Sequence, residues 1–152
     1  MFELMVAAKL FLTTVREHVG VDRADLEARF GPPTGIGTDF IPSPTTNGAR
    51  DSVVTMDWPE LRVRLYVSSA TNVVSLLGVT TTSHALEIDS PVYIGVDRGT
   101  VLRELGGPFY EDEDQIVYSL KEESADLPND TVRLVFRDDR VVGIDWTYPL
   151  SK

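Results

Sequence analysis

Residues 3–19, near the start of the chain, carry apolar side chains at the spacing of one helix face. This stripe consists of Leu4, Ala8, Phe11, Val15 and Val19. Because such a stripe can cover a β-sheet, we predict an N-terminal helix that packs on one. Glu3 lies where a signal peptide needs positive charge, and Lys9 interrupts the apolar run, so we do not expect a targeting segment.

Alternation of apolar and polar residues predicts strands further along the chain. Val63, Leu65 and Val67 show it clearly, which indicates one buried face and one wet face. The predicted strands are 52–58, 61–68, 73–81, 115–120, 131–137 and 141–148. The last two strands of each group of three are expected to form a hairpin, with polar turns at 68–72 and 137–140.

An internal repeat is the most informative feature of the sequence. Residues 20–33 read GVDRADLEARFGPP and residues 95–108 read GVDRGTVLRELGGP, with six identities in 14 positions at an offset of 75. The similarity continues downstream, where VRL at 63–65 recurs at 132–134 and VV at 73–74 recurs at 141–142. The pattern therefore predicts a tandem duplication with insertions in the loops of the first copy.

Both copies contain the signals of a short helix. Asp22 and Asp97 are placed to accept hydrogen bonds from the free amides of a first helical turn. Gly31 and Gly106, each followed by a proline two positions on, are expected to end the helices. A hydrophobic staple is predicted for two residue pairs, Val21 with Leu26 and Val96 with Val101.

The predicted fold class is therefore α+β. We expect one domain over 1–152, built from two helix-strand-strand-strand repeats at about 1–83 and 84–152, with an antiparallel sheet and helices packed on one face.

Composition narrows the function classes. The net charge of -10 disfavours nucleic acid, because phosphate binding depends on Lys and Arg. No apolar run approaches the ~20 residues needed to span a bilayer, so no membrane partner is expected. The absence of cysteine excludes disulfides and thiolate chemistry and suits a reducing, cytoplasmic location.

Catalytic chemistry has few candidates in this sequence. His18 and His84 are the two histidines, and both are interpreted as surface residues. Common nucleophile, phosphate-loop, zinc and dinucleotide motifs are missing, so we predict a protein that is not an enzyme and has no cofactor. The acidic segments lack the alternating ligand spacing and turn glycine of a calcium loop, so no metal site is predicted.

Several loop residues are candidates for binding a partner. Phe40 and Ile41 lie in a segment, 31–51, predicted to be irregular, where they either fold back on the core or anchor a partner. An acidic segment at 121–130 is a further loop candidate. It contains Glu122 and Glu123.

An acidic run forms the other loop candidate. It follows Tyr110 and consists of Glu111, Asp112, Glu113 and Asp114. These carboxylates can pair with Lys or Arg of a partner, or they form a solvated turn.

Aromatic residues on the predicted strands complete the candidates, because aromatics are common at interfaces and in cores. Trp146 and Tyr148 share one strand face, and we predict that one is buried and the other lies at a rim.

The repeated segments, GVDRADLEARFGPP and GVDRGTVLRELGGP with the strands that follow them, resemble the tandem units of the beta-lactamase inhibitory protein family. A single copy is similar to outer-membrane assembly lipoproteins of the SmpA/OmlA type, and the small acidic chain also resembles bacterial immunity proteins. Those inhibitors carry disulfides and those lipoproteins need an N-terminal cysteine, whereas this chain has no cysteine.

The resemblance implies an intracellular inhibitor or immunity protein that covers a basic toxin or enzyme with an acidic, aromatic-rich sheet face and loops. The alternative is an adaptor or assembly module that binds a structural partner or itself as a homo-oligomer.

Overall fold

The computed structural model describes residues 2–19, 22–43, 46–83, 90–119 and 130–148. Within these residues the chain forms three α-helices, Phe2–Val19 (α1), Arg23–Phe30 (α2) and Arg98–Leu105 (α3). It also forms eight β-strands: Gly35–Pro42 (β1), Arg50–Trp58 (β2), Leu61–Val67 (β3), Val74–Thr81 (β4), Tyr110–Glu111 (β5), Gln115–Ser119 (β6), Thr131–Arg137 (β7) and Arg140–Thr147 (β8).

The eight strands form one antiparallel sheet in the order β1-β2-β3-β4-β8-β7-β6-β5. We call α2 with β1 to β4 the first half, and α3 with β5 to β8 the second half. The last strands of the two halves, β4 and β8, pair at the centre, and the remaining strands follow outward in reverse chain order on each side. The outermost strands are therefore the first strand of each half.

The predicted starts and ends of α2 and α3 are confirmed. The Asp22 carboxylate accepts a hydrogen bond from the Ala24 amide at 2.8 Å, and that of Asp97 accepts one from the Thr100 amide at 3.1 Å. The C-caps, Gly31 and Gly106, have φ angles of 82° and 85°, a region that favours glycine.

The predicted hydrophobic staples lie at the starts of these two helices. Val96 and Val101 are both buried. Val21 lies outside the described residues, so the staple of α2 stays a prediction.

Each half also joins its helix to its sheet with one aromatic side chain. The Trp58 indole N–H on β2 donates to the Gly31 carbonyl at 2.8 Å, and the Tyr118 hydroxyl on β6 donates to the Gly106 carbonyl at 2.8 Å. Both bonds satisfy a carbonyl at the C-terminal end of a helix, where no further turn supplies a donor.

The predicted N-terminal helix is confirmed and packs over the middle of the sheet. Phe11, Val15 and Val19 of the predicted stripe are buried, as is Leu12. The Trp146 indole N–H donates to the Phe11 carbonyl at 3.1 Å. The Tyr148 hydroxyl donates to the Leu12 carbonyl at 2.6 Å.

These bonds explain why one prediction about β8 is wrong. Trp146 and Tyr148 are each only 1% exposed, so neither lies at a rim. The two side chains point to the same side of the sheet, and α1 covers that side at both positions.

The interpretation of 31–51 as an irregular loop is also wrong. Its middle is β1, which pairs with β2 over eight residues, from Gly35 opposite Asp57 to Pro42 opposite Arg50. Together with the short strand β5 in the second half, β1 gives each half four strands instead of the predicted three. The β1 sequence, GIGTDFIP, lacks a clear apolar alternation, so its extended state depends on the neighbouring strand.

The two predicted hairpins are confirmed. Asp138 and Asp139 both have positive φ, 53° and 64°, between β7 and β8, which is the conformation of a type I′ turn. In the first half the connection from β3 to β4 contains Asn72 at a φ of 58°. Both turns use residue types that tolerate the left-handed region.

Candidate partner-binding surface

The predicted acidic run forms the turn between β5 and β6. The Asp112 carboxylate accepts hydrogen bonds from the amides of Asp114 at 2.8 Å and Gln115 at 3.0 Å, and from the Tyr110 hydroxyl at 2.8 Å. The bond from the Asp114 amide, followed by that from Tyr110, lowers the pKa of Asp112. The same carboxylate raises the pKa of Tyr110. Asp112 therefore shapes the turn.

Arg98, the first residue of α3, joins this turn to the turn between β7 and β8. Its guanidinium lies 3.0 Å from a Glu111 carboxylate oxygen and 3.1 Å from one of Asp139, and it donates to the Glu113 carbonyl at 2.6 Å. It also lies 4.5 Å from the centre of the Phe136 ring. The Arg98 side chain is only 16% exposed, so these contacts are partly shielded from water.

These contacts revise the expectation for the acidic run. Glu111 and Asp112 already have partners inside the chain. Among the residues that the structure describes, the carboxylates of Glu113, Asp114 and Asp138 form no hydrogen bond or ion pair. Three negative groups therefore remain available to a partner on two turns that Arg98 holds together.

We name this region the acidic corner. It consists of the two turns with their flanking residues, Arg98, Glu111, Asp112, Glu113, Asp114, Arg137, Asp138, Asp139 and Arg140. Six carboxylates and three guanidinium groups give it an excess of negative charge. Arg140 donates to the Gly95 carbonyl at 2.9 Å, which fixes one of these cations at the base of the corner.

Two exposed aromatic rings lie beside the acidic corner. Phe109 is 62% exposed and Tyr110 is 48% exposed. The Phe109 amide donates to the Val117 carbonyl at 2.9 Å, so its backbone is held against β6. Tyr110 was a sequence candidate, whereas Phe109 was missed. The available signal was the aromatic pair placed directly after the Gly-Gly-Pro helix stop.

The side of the sheet away from the helices, which we call the open face, differs from the expectation. Arg62 pairs with Asp57 at 2.6 Å, and Arg133 pairs with Asp145 at 3.5 Å. Arg64 is exposed and forms no ion pair with any described residue. The predicted acidic, aromatic-rich sheet face is therefore wrong, because cations balance the carboxylates there. Most large aromatics of the sheet lie under the helices, namely Trp58, Tyr118, Trp146 and Tyr148.

The other sequence candidates have separate locations. Phe40 lies on β1, is 62% exposed and has the Arg50 guanidinium 5.1 Å from its ring centre. Ile41 points to the opposite side of the same strand and is half-buried. Glu122 and Glu123 lie outside the described residues. Neither Phe40 nor Ile41 belongs to the acidic corner.

Sequence reasoning also missed a buried carboxylate, Asp51. It is 1% exposed and accepts hydrogen bonds from the Tyr66 hydroxyl, from the Ser69 amide at 2.9 Å and from the Ser69 hydroxyl at 3.1 Å. The bond from Tyr66 lowers the pKa of Asp51, while burial and then Asp51 raise the pKa of Tyr66 to about 12. The group ties the start of β2 to the connection between β3 and β4.

Across the described ranges, no group of three or more His, Cys, Asp and Glu residues is arranged to hold a metal ion. None of the described helices combines the length and apolar character needed to cross a bilayer. The side chain of His18 and all of His84 lie outside the described residues.

Comparison with protein-family models, curated proteins and solved structures found no match to this chain. The resemblance to tandem inhibitors and immunity proteins therefore stays a prediction.

Proposed function

We propose that this chain is a non-enzymatic protein-binding protein, an inhibitor or immunity protein that acts in the cytoplasm against a basic toxin or enzyme. The observation that carries the proposal is the acidic corner with Phe109 and Tyr110 beside it. Carboxylates next to exposed aromatic rings suit a basic protein surface, because the rings can be buried at the contact while the charges pair around them.

The geometry of the corner supports this role through preorganisation. Arg98 holds two turns from distant parts of the sequence, so binding needs little ordering of the backbone. The unpaired carboxylates of Glu113, Asp114 and Asp138 lie at the edge of the proposed binding surface. Charges at such an edge mainly accelerate association with an oppositely charged partner. We therefore expect the association rate to fall as the salt concentration rises.

We further propose that the two halves are copies of one unit, each with a helix and four strands. The proposal is supported by the Asp N-caps, by the positive φ at both C-cap glycines, and by the mirrored strand order. The matched bonds from Trp58 and Tyr118 to the helix C-caps add a contact that local propensity does not require.

A pull-down with matched variants tests the binding function. The native chain is compared with Glu113→Gln/Asp114→Asn/Asp138→Asn and with a control of equal charge change, Asp25→Asn/Glu27→Gln/Glu60→Gln, at low and physiological salt. Native and control chains should recover the same basic protein from cell extract, and the corner variant should recover less. Association with the purified partner should slow with salt. Recovery of nothing above background, or equal recovery by all three chains, argues against the proposal.

The second candidate function is an assembly module. It is favoured by the exposed edge strand β1, which carries Ile36 and Phe40 at 47% and 62% exposure. Light scattering with the captured basic protein separates the candidates. An inhibitor gains the mass of its target whether or not it self-associates, whereas a module that binds only itself keeps the mass of its own oligomer.

A further inference from the structure

The β1 edge of the sheet is long and uncovered. Strand Gly35–Pro42 is the outermost strand on its side, and its side chains are exposed except for that of the half-buried Ile41. Within the described residues no other strand pairs with its outer edge. An uncovered strand edge offers backbone donors and acceptors to a further strand.

The hydrogen-bond register shows which amides point outward. The Ser43 amide donates to the Ala49 carbonyl at 2.9 Å, in line with the register that places Pro42 opposite Arg50. Because hydrogen-bonded residues alternate along an antiparallel pair, residues 37, 39 and 41 also face β2. The amides of residues 36, 38 and 40 therefore face the open edge.

The series of outward-facing amides stops at both ends of β1. Pro42 has no N–H to donate. At the other end, the Thr34 amide turns inward and donates to the Asp57 carbonyl at 2.7 Å. The open edge thus presents a ladder centred on Thr38, with one outward-facing residue on either side of it.

The two outer residues of this ladder are apolar. Ile36 and Phe40 lie opposite Met56 and Ser52 of β2, so they share the helix side of the sheet. They remain 47% and 62% exposed because the strand extends beyond the buried core. Two apolar side chains placed symmetrically about Thr38 are unusual for an edge that stays in water.

We propose that β1 pairs with β1 of a second copy of this chain, antiparallel and with a two-fold axis at Thr38. In this register Ile36 lies opposite Phe40 of the second copy, and Phe40 lies opposite its Ile36. Residues 36, 38 and 40 each exchange both backbone bonds with their partners. The strand is therefore complementary to itself in hydrogen bonding and in apolar contact.

Charge is compatible with this register. Asp39 is the only charged residue of β1, and it lies directly opposite Gly37 of the second copy. The two Asp39 residues are diagonal neighbours, about 7–8 Å apart, so no like charges lie directly opposite each other. The net charge of -10 on each chain opposes association at long range. Added salt is therefore expected to strengthen the dimer, whereas it should weaken binding to a basic target.

The opposite edge of the sheet explains why the assembly stops at two copies. Strand β5 has only two residues, and the Asp112 turn follows it directly. Such a short edge offers little template for pairing. Because β1 is the one long edge among the described strands, a two-fold contact through it closes on itself and gives a dimer.

Light scattering across protein and salt concentrations tests the dimer. Native chain should approach dimer mass as concentration and salt rise, and Thr38→Pro should weaken the dimer by about tenfold or more, because it removes the central amides. The Thr38 amide faces away from β2 and has no partner among the described residues, so the proline variant should keep the native circular dichroism spectrum. A dimer that survives Thr38→Pro overturns the proposal.

Two further variants test the register without relying on proline. Ile36→Lys/Phe40→Lys and Ile36→Glu/Phe40→Glu should each be monomeric, since like charges then face each other, and their mixture should form a heterodimer. A mixture that remains monomeric where the native chain dimerises contradicts the proposed register.

Cysteine crosslinking provides a direct distance test, because the native chain has no cysteine. Thr38→Cys places two thiols on directly opposite residues, about 5.5 Å apart at Cα, which a disulfide can bridge. The control, Asp39→Cys, places them diagonally, at about 7–8 Å. Thr38→Cys should crosslink much faster; equal rates overturn the register. These readouts need no target protein, so they can fail while the proposed inhibitory function stands.

Discussion

The two halves share a plan but differ at their outer ends. Each has a helix with an Asp N-cap, a Gly C-cap and an aromatic bond from the sheet. At the outer edge of the sheet, the first half has an eight-residue strand with exposed apolar side chains. The second half has a two-residue strand and the acidic corner at its outer edge. We infer that the central elements maintain the fold, while the outer ends have separate recognition roles.

The arginines that begin α2 and α3 show this difference clearly. Arg98 bridges Glu111 and Asp139 in the second half. Arg23 occupies the corresponding position of α2, is exposed, and forms no ion pair with the part of the chain that the structure describes. The two arginines therefore form different contacts because the residues near them differ between the halves.

The largest expected effect comes from removing the aromatic side chains that join helix and sheet. Trp58→Ala and Tyr118→Ala should each lower the free energy of unfolding by about 3–5 kcal/mol, because each leaves a cavity and a carbonyl without its donor. One core cluster includes buried residues of both halves, so urea unfolding should remain a single transition in both variants. Two separate transitions would show that the halves unfold independently.

Arginine replacement should reveal the asymmetry of the halves. Arg98→Ala should lower the free energy of unfolding by about 1.5–3 kcal/mol, because it leaves the two acidic turns without their shared cation. Arg23→Ala is the matched control and should change it by less than about 0.5 kcal/mol. Urea denaturation at neutral pH measures both, and equal losses would contradict the special role assigned to Arg98.

A smaller effect should isolate the hydroxyl of Tyr118. Tyr118→Phe keeps the ring but removes the donor to the Gly106 carbonyl, so a loss of about 1–2 kcal/mol is expected. Thermal and urea unfolding should agree on this value. No loss would mean that the bond to the helix end contributes nothing beyond packing.

The N-cap of α3 should make the stability of the fold depend on pH. The hydroxyl and then the amide of Thr100 lower the pKa of Asp97, so the folded state binds fewer protons than the unfolded state. The stability from this cap is present above the unfolded pKa of about 3.9 and is lost as pH falls through the folded pKa. Asp97→Asn should flatten the stability profile in that acidic range.

Asp22→Asn is the matched control for this measurement, since it makes the same substitution at the N-cap of α2. The stability profiles of both variants between about pH 2 and pH 5 provide the comparison. If the Asp97→Asn profile kept the native slope in this range, the carboxylate would not be the group that titrates.

Local chemistry in the sequence predicted much of the fold. The N-caps Asp22 and Asp97 and the stops at Gly31 and Gly106 depend on bonds within one helical turn, so neighbouring residues determine them. The alternation of apolar and polar residues predicted the strands β2, β3, β4, β6, β7 and β8, because side chains of a half-buried strand face the core at every second residue. Composition alone identified Tyr110 and the acidic run as candidates for binding a partner, and that role stays a prediction.

Tertiary structure decided the features that depend on distant residues. β1 is a strand because β2 supplies its hydrogen-bond partners. Trp146 and Tyr148 are buried because α1 covers them. Arg98 contacts Asp139 only after the sheet has formed. The physical reason is range: caps and alternation act over a few residues, whereas strand pairing, burial and ion pairs depend on segments far apart in the chain.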